Sequence, residues 1–383
     1  MKIFCFSCFC CIIAIVYSLS LENEVGYFWH VTDFHMDVNY TTEVSKSDKD
    51  YFLGPYKYEI CWNNRDKSNG RFGDYNCDAS ESLVDSAINF IKIHSLSLNG
   101  KVKFMIWTGD DTAHADNEYF DQFKMIDIVW SITQKLVKTS IPMFPVLGNH
   151  DAFPHNQFQD DPKDLLYLTS GEMWKDANGW TQSAFEEYMT NGGFYKMEFG
   201  PFLLVGLNTN LWYKSNHVDF GDNAADPLGQ FEWLENTLEE AMMNFFDYKR
   251  VLLFAHIPPG KFERFNQYFN ETNEFGYSWF KPEYNERFLS ILVKYAKIIH
   301  LQLYAHHHTD TFKLIKNEAK DTVGVQLLAP AVTPWNSTLA PETGGNNPSL
   351  RLFKYNTRTG EVRKIVLCCV YLCILAVDAV NEK

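Results

Sequence analysis

The 383-residue chain predicts an α/β fold that gathers a polar site at the C-terminal ends of its strands. Apolar runs of strand length recur, and several end in a cluster of Asp, Asn or His. Helical patterns separate some of these runs, giving a strand–helix–strand layout. The clearest junction is Phe144-Pro145-Val146-Leu147-Gly148-Asn149-His150-Asp151. There a buried strand passes through a glycine straight into three side chains able to bind metal or move protons. Gly148 reads as the residue that permits a tight turn.

Taken in order, residues 1–20 read as a secretory signal. Lys2 gives the charged start, an apolar run follows, and Val16-Tyr17-Ser18 or Ser18-Leu19-Ser20 offers a cleavage site. A signal anchor is the alternative, but the run is short for a span of ~20 residues. Four of the nine cysteines, Cys5, Cys8, Cys10 and Cys11, leave with the signal. In an oxidising compartment Cys61 and Cys77, the only two in the body of the chain, are expected to pair. Closing that loop stabilises the fold by ~3 kcal/mol on chain-entropy grounds. Sequons at Asn39, Asn270 and Asn336 fit a glycosylated secretory protein, extracellular or lysosomal. The net charge of −14 and the lack of a basic stretch argue against a nucleic-acid polymer as partner.

Strand 26–31 delivers Asp33 and His35, which on an extended chain point to one face and can grip one ion. Residues 38–78 are polar and read as a surface excursion. Residues 80–95 predict a helix capped by Ser80, with Leu83, Ala87, Ile88 and Ile91 at helical spacing. Strand 102–107 delivers Asp110 and, four residues on, His114. A helix over 120–137 leads to strand 141–147, and 152–192 reads as irregular or helical cover. Strands over 193–197 and 202–207, a helix over 228–244 and strand 250–255 follow, the last delivering His256. A helix over 285–296 precedes strand 298–304, which delivers His306, His307 and His308. Hairpin-like segments run through 311–318, 323–329 and 350–356. No internal repeat, low-complexity linker or clean domain boundary is visible.

Five strand ends therefore carry Asp33/His35, Asp110, Asn149/His150, His256 and His306/His308. Strands of one sheet bring their ends together, and oxygen and nitrogen donors gathered there can hold two divalent ions. The order D-x-H, G-D, G-N-H-D, H, H-x-H resembles the calcineurin-like metallophosphoesterases. Within them, Trp107-Thr108-Gly109-Asp110, Leu207-Asn208-Thr209-Asn210, Asp226-Pro227-Leu228-Gly229-Gln230, His256-Ile257-Pro258-Pro259-Gly260 and Asn347-Pro348-Ser349-Leu350-Arg351 resemble the acid sphingomyelinase-like phosphodiesterases. The likeness spans roughly residues 25–360.

The resemblance implies a four-layer αββα sandwich and two zinc ions. One ion is assigned Asp33, His35 and His308, the other Asn149, His256 and His306, with Asp110 bridging. It implies attack by a metal-bridging hydroxide on phosphorus. His150 and His114 bind phosphoryl oxygens, and one of them, His150 by preference, protonates the leaving alcohol. Asp151 either orients a ligand or caps its loop. Purple acid phosphatases place a tyrosine ligand where this chain has Ala113, which disfavours ferric iron. The catalytic domain is expected over 21–360. Residues 361–383 read as a divergent apolar terminus, too short to span a bilayer comfortably, where the family continues into a helical lobe; truncation or altered splicing is the first reading, an atypical last element or a processed lipid-anchor tail the alternatives. The reading is a monomeric secreted phosphodiesterase for small phosphoesters, nucleotides first. A sphingomyelin phosphodiesterase and a catalytically impaired binding protein are the alternatives.

Overall fold

The computed structural model describes residues 24–40, 42, 70–176, 179–243, 250–262, 277–336 and 344–369. One sheet has the order β11-β10-β1-β2-β3, from β1 (Val25–Val31), β2 (Val102–Trp107), β3 (Met143–Pro145), β10 (Ser349–Asn356) and β11 (Val362–Cys369). The other has the order β4-β5-β6-β7-β9-β8. Its strands are β4 (Tyr195–Phe199), β5 (Phe202–Gly206), β6 (Arg250–Phe254), β7 (Ile299–Tyr304), β8 (Thr311–Lys316) and β9 (Thr322–Leu328). Strands β1, β2 and β3 run parallel, as do β5, β6, β7 and β9. Helices α1 (Glu81–Ser97), α2 (Gln122–Val137), α3 (Leu165–Trp174), α4 (Gln182–Asn191), α5 (Gln230–Met243) and α6 (Pro282–Lys294) complete the αββα sandwich.

Aromatic side chains hold the two sheets together. Phe353, Phe28 and Phe104 stack across β10, β1 and β2, with ring centroids 4.5 and 4.6 Å apart. From the facing sheet Phe202 meets Phe28 and Phe104 edge-on, and Phe199 meets Phe104 and Phe144. Such pairs add to the area they bury. Because strand side chains alternate, Trp29 points the other way, packs on Phe90 of α1 and donates Nε1–H to Ser95. Trp212, beyond β5, stacks on Phe231 of α5 and packs on Phe288 of α6. Ser80 caps α1 as expected, accepting from the Leu83 amide at 3.2 Å.

Of the irregular or helical cover expected over 152–192, two stretches are regular helices, α3 and α4. Two expectations change. The segment 350–356 does not continue the β8–β9 hairpin: β10 lies between β1 and β11 in the other sheet. Period-two alternation gives a strand its two faces but not its sheet. The divergent terminus begins as regular structure, since β11 is the edge strand of the first sheet and Leu350 pairs with Cys368. The signal and residues 370–383 lie outside the described residues. Among the described residues no helix is long and apolar enough to cross a membrane.

Arg351 on β10 links the sheets below the site. It is 3% exposed, pairs with Asp310, and donates Nη2–H to the Leu328 carbonyl at 2.5 Å. Asp310 lies two residues beyond His308, so this bridge fixes the loop after β7. Removing the acid strands a buried cation, whereas removing the cation leaves an acid that is 37% exposed. Asp310→Ala is therefore expected to cost ~2 kcal/mol, discounted for that exposure, and Arg351→Met less. Urea unfolding of both variants checks the order.

Candidate metal centre

The ends of β2 and β3 touch backbone to backbone. A Cβ on Gly109 would sit 2.1 Å from the Gly148 nitrogen, and one on Gly148 would sit 2.2 Å from Asp110 Oδ1. Gly148 has φ −94°, so it serves close approach rather than the turn expected of it. Asp151 binds this contact together. Its carboxylate accepts from the amides of Gly148 (2.7 Å), Asp110 (3.0 Å) and Asp111 (2.8 Å). It thus caps its own loop and fixes the backbone of the neighbouring one.

Asp33, His35, Asp110, His306 and His308 all have positive φ, between 40° and 69°. Asp33 and His35 therefore converge through a left-handed turn, not along the extended strand read from their spacing. Each such residue costs on the order of 1 kcal/mol and persists where the surroundings enforce it, commonly at functional sites. Here the enforcement includes Asp33 N–H to Gly109 O and His35 N–H to Asp110 O.

All seven expected ligands converge. His35 Nδ1 lies 2.7 Å from the Thr112 carbonyl and His256 Nδ1 2.8 Å from that of Thr108. A carbonyl only accepts, so each Nδ1 carries the proton and each Nε2 turns a lone pair inward. His35 Nε2 then faces His308 Nε2 at 3.2 Å and Asp110 Oδ2 at 3.4 Å. His308 Nε2 is 3.3 Å from Asp33 Oδ1. His256 Nε2 is 3.0 Å from both Asp110 Oδ2 and Asn149 Oδ1. Asp33 is fully buried, yet neither of its carboxylate oxygens accepts a hydrogen bond. Buried acceptors facing acceptors are a donor set short of positive charge, which divalent cations fit. Asp33, His35 and Asp110 form one group, and Asp110, His256 and His306 another, so Asp110 is the shared member.

The charges respond to this crowding. Burial works against ionising Asp33 and Asp110, but His308 beside the first and His256 beside the second hold both well below the usual carboxylate range. Burial disfavours a charged His35 too, yet contact with Asp33 and the charge of Asp110 raise it to about 9. Protons and metal thus compete for the same lone pairs.

His114 and His150 lie beside these ligands. The His114 ring stacks between His35 and Trp335, 3.9 Å from each. Asp78, fully buried, takes its Nδ1 at 2.9 Å and its backbone amide at 2.7 Å. Thr333 Oγ1 donates to the same carboxylate. Asp78 was read as part of a polar surface excursion, and nothing local distinguishes it from the neighbouring acids. Burial lowers His114 to about 4, with Asp78 opposing, and burial also lowers His150 well below the ordinary histidine range. Asn156 accepts from Asn149 Nδ2 at 2.9 Å, which turns Asn149 Oδ1 toward His256. His155 packs against His150 with centroids 4.6 Å apart. These neighbours were also missed, because loop residues reveal their partners only in three dimensions.

Away from the centre, Cys77 is fully buried, while Cys61 and Asn270 lie outside the described residues. Asn39 is exposed. Asn336 is 9% exposed, and its backbone N–H donates to the Tyr75 carbonyl.

A sandwich that gathers a shared carboxylate, four imidazoles and an asparagine at its strand ends is the architecture of a metal-dependent phosphoester hydrolase. Residues 26–310 match the calcineurin-like phosphoesterase family. Over 351 residues the chain is 33% identical to acid sphingomyelinase-like phosphodiesterase 3b of Mus musculus, covering 90% of this chain and 70% of that protein. Cyclic GMP-AMP phosphodiesterase SMPDL3A of Bos taurus is 35% identical over 342 residues, covering 87% and 68%. The chain belongs to the calcineurin-like phosphoesterases, among their acid sphingomyelinase-like phosphodiesterases, and is a dinuclear metal phosphoric diester hydrolase.

Because Asp78 fixes the His114 ring, Asp78→Asn is expected to lower kcat by about tenfold or more, the scale seen when a ring's orienting partner is lost. Bound metal should stay nearly unchanged, since the Asp78 carboxylate bonds His114 and Thr333 rather than any of the seven ligands. Steady-state kinetics with elemental analysis of the same sample checks both.

Proposed function

We propose that this enzyme is a secreted zinc phosphodiesterase acting on small phosphoesters, nucleotides first. The observation that carries the reading is Asp110, whose Oδ2 lies 3.4 Å from His35 Nε2 and 3.0 Å from His256 Nε2, one from each ligand set. It stands between an acidic ligand set and one whose oxygen donor is the neutral Asn149. Imidazole with carboxylate suits zinc, and Ala113 leaves no phenolate for ferric iron. When bound, two divalent ions supply Lewis-acid charge on the phosphoryl oxygens and a water acidic enough to act as nucleophile near neutral pH.

The chain's own residues do the rest. His114, pinned by Asp78 and the two flanking rings, holds a phosphoryl oxygen as charge develops on it. His114 Nδ1 is taken by Asp78 whereas His150 Nδ1 has no partner, which suits His150 to give a proton to the departing alkoxide. The nucleotide preference is supported by the relative named for cyclic GMP-AMP hydrolysis. The leader-like sequence of residues 1–20, the expected pairing of Cys61 with Cys77 and the Asn39 sequon support secretion.

Purified protein is to be assayed on ATP and on sphingomyelin micelles, with zinc, with chelator and as Asp110→Asn. The expected result is chelator-sensitive turnover of ATP well above that of sphingomyelin, falling at least about a hundredfold in the variant. Faster release from sphingomyelin would make this a lipid phosphodiesterase. No turnover of either by folded, metal-loaded protein would contradict the enzymatic reading. Expressed in a glycosylating host, Asn39→Gln should lose one glycan mass and Asn336→Gln none, read by mass spectrometry.

A further inference from the structure

The loop after β3 carries a side chain that the chemistry above leaves without a task. His155 is 8% exposed, and its Nε2 is buried with no hydrogen-bond partner. The adjacent His150 has a buried Nδ1 in the same condition. Two unpartnered imidazole nitrogens on neighbouring rings are costly, since a buried polar atom forgoes water without compensation. The loop is not loose enough to explain them. Asn117 Oδ1 accepts from the His155 amide at 2.8 Å, and Gln157 Nε2 donates to the Ser215 carbonyl at 2.9 Å. Phe120 backs the His155 ring, with centroids 5.5 Å apart. The ring is held in place with one polar atom unused.

The position of that ring carries the argument. His114 and His150 both meet the ligand His35, at 3.9 and 5.1 Å, and each other at 4.5 Å, while His155 meets His150 at 4.6 Å. His155 thus lies one imidazole beyond His150, on the side of it away from the ligand His35, where a group attached to the reacting phosphate would pass. We infer that His155 is a specificity-determining residue whose Nε2–H, beside His150, hydrogen-bonds a second phosphoryl group next to the one at the metal centre. The ligand class is nucleoside polyphosphates. This deepens the nucleotide reading and rests on it for the substrate's name, but the subsite itself is testable without turnover of a nucleotide.

The test uses bis(p-nitrophenyl) phosphate as reporter substrate in zinc-buffered solution, with AMP and ADP as competitive inhibitors. His155→Phe keeps the ring and removes its hydrogen bond, and His155→Gln keeps an N–H donor. In the wild type ADP should inhibit about tenfold more tightly than AMP, as expected for one added hydrogen bond to a charged group. That preference should shrink to about twofold in His155→Phe and return in part in His155→Gln. Equal inhibition by AMP and ADP in the wild type would overturn the inference. So would a full ADP preference in His155→Phe, which would mean that only an ordered water meets Nε2. An equal loss for both nucleotides would overturn it too, by making His155 a support for His150. If ATP is not hydrolysed, the nucleotide substrate reading fails, while the inhibition ratio still decides the subsite.

Discussion

Between the ends of β2 and β3 there is no room for a side chain. Gly109 and Gly148 meet main chain to main chain, and the Asp151 carboxylate takes three amides across the junction. This contact brings Asp110 and Asn149 near enough to share His256, and it orients the amide of His150 toward Asp110 Oδ1 at 2.7 Å. Moving either strand end by the width of a methyl group would separate the ligands it carries. The aromatic layer between the sheets supplies the complementary restraint, because His256, His306 and His308 come from the second sheet. Arg351 and Asp310 tie that sheet's loop back to the first.

The donor set is prepared for cations before any arrive. Carbonyls of Thr108 and Thr112 fix two histidine tautomers, left-handed backbone at five ligand positions turns side chains inward, and Asp33 is left with no hydrogen bond to accept. The two carbonyl hydrogen bonds support the stability of the metal-free chain, while the left-handed backbone and the unsatisfied Asp33 carboxylate oppose it. Together they are compensated only by positive charge in the centre, so metal binding and local folding are linked. The phosphate-facing histidines obey a different logic. His114 is immobilised by an acid and two flanking rings, while His150 keeps an unused nitrogen.

Much of this could be read from the chain itself. Apolar strands ending in Asp, Asn and His identified the ligands, because a strand's end is a local event and its composition reports it. Ser80 announced its helix in the same way. What escaped was non-local. The sheet joined by β10 depends on Phe353 finding Phe28, and the part played by Asp78 depends on His114, 36 residues away. The left-handed turn at Asp33 and His35 also escaped, since neither residue type demands positive φ. The low exposure of Asn336 was not legible either, because a sequon motif carries no information on enclosure.

The central claim is that one carboxylate, Asp110, is shared by two metal positions with otherwise separate ligands. Calorimetric titration of metal-free protein with zinc tests it directly, comparing the wild type with Asp110→Ala and His308→Ala. The account predicts two ions per chain in the wild type, weakening of both in Asp110→Ala, and weakening of only one in His308→Ala. A single ion in the wild type, or loss of only one affinity in Asp110→Ala, would contradict it.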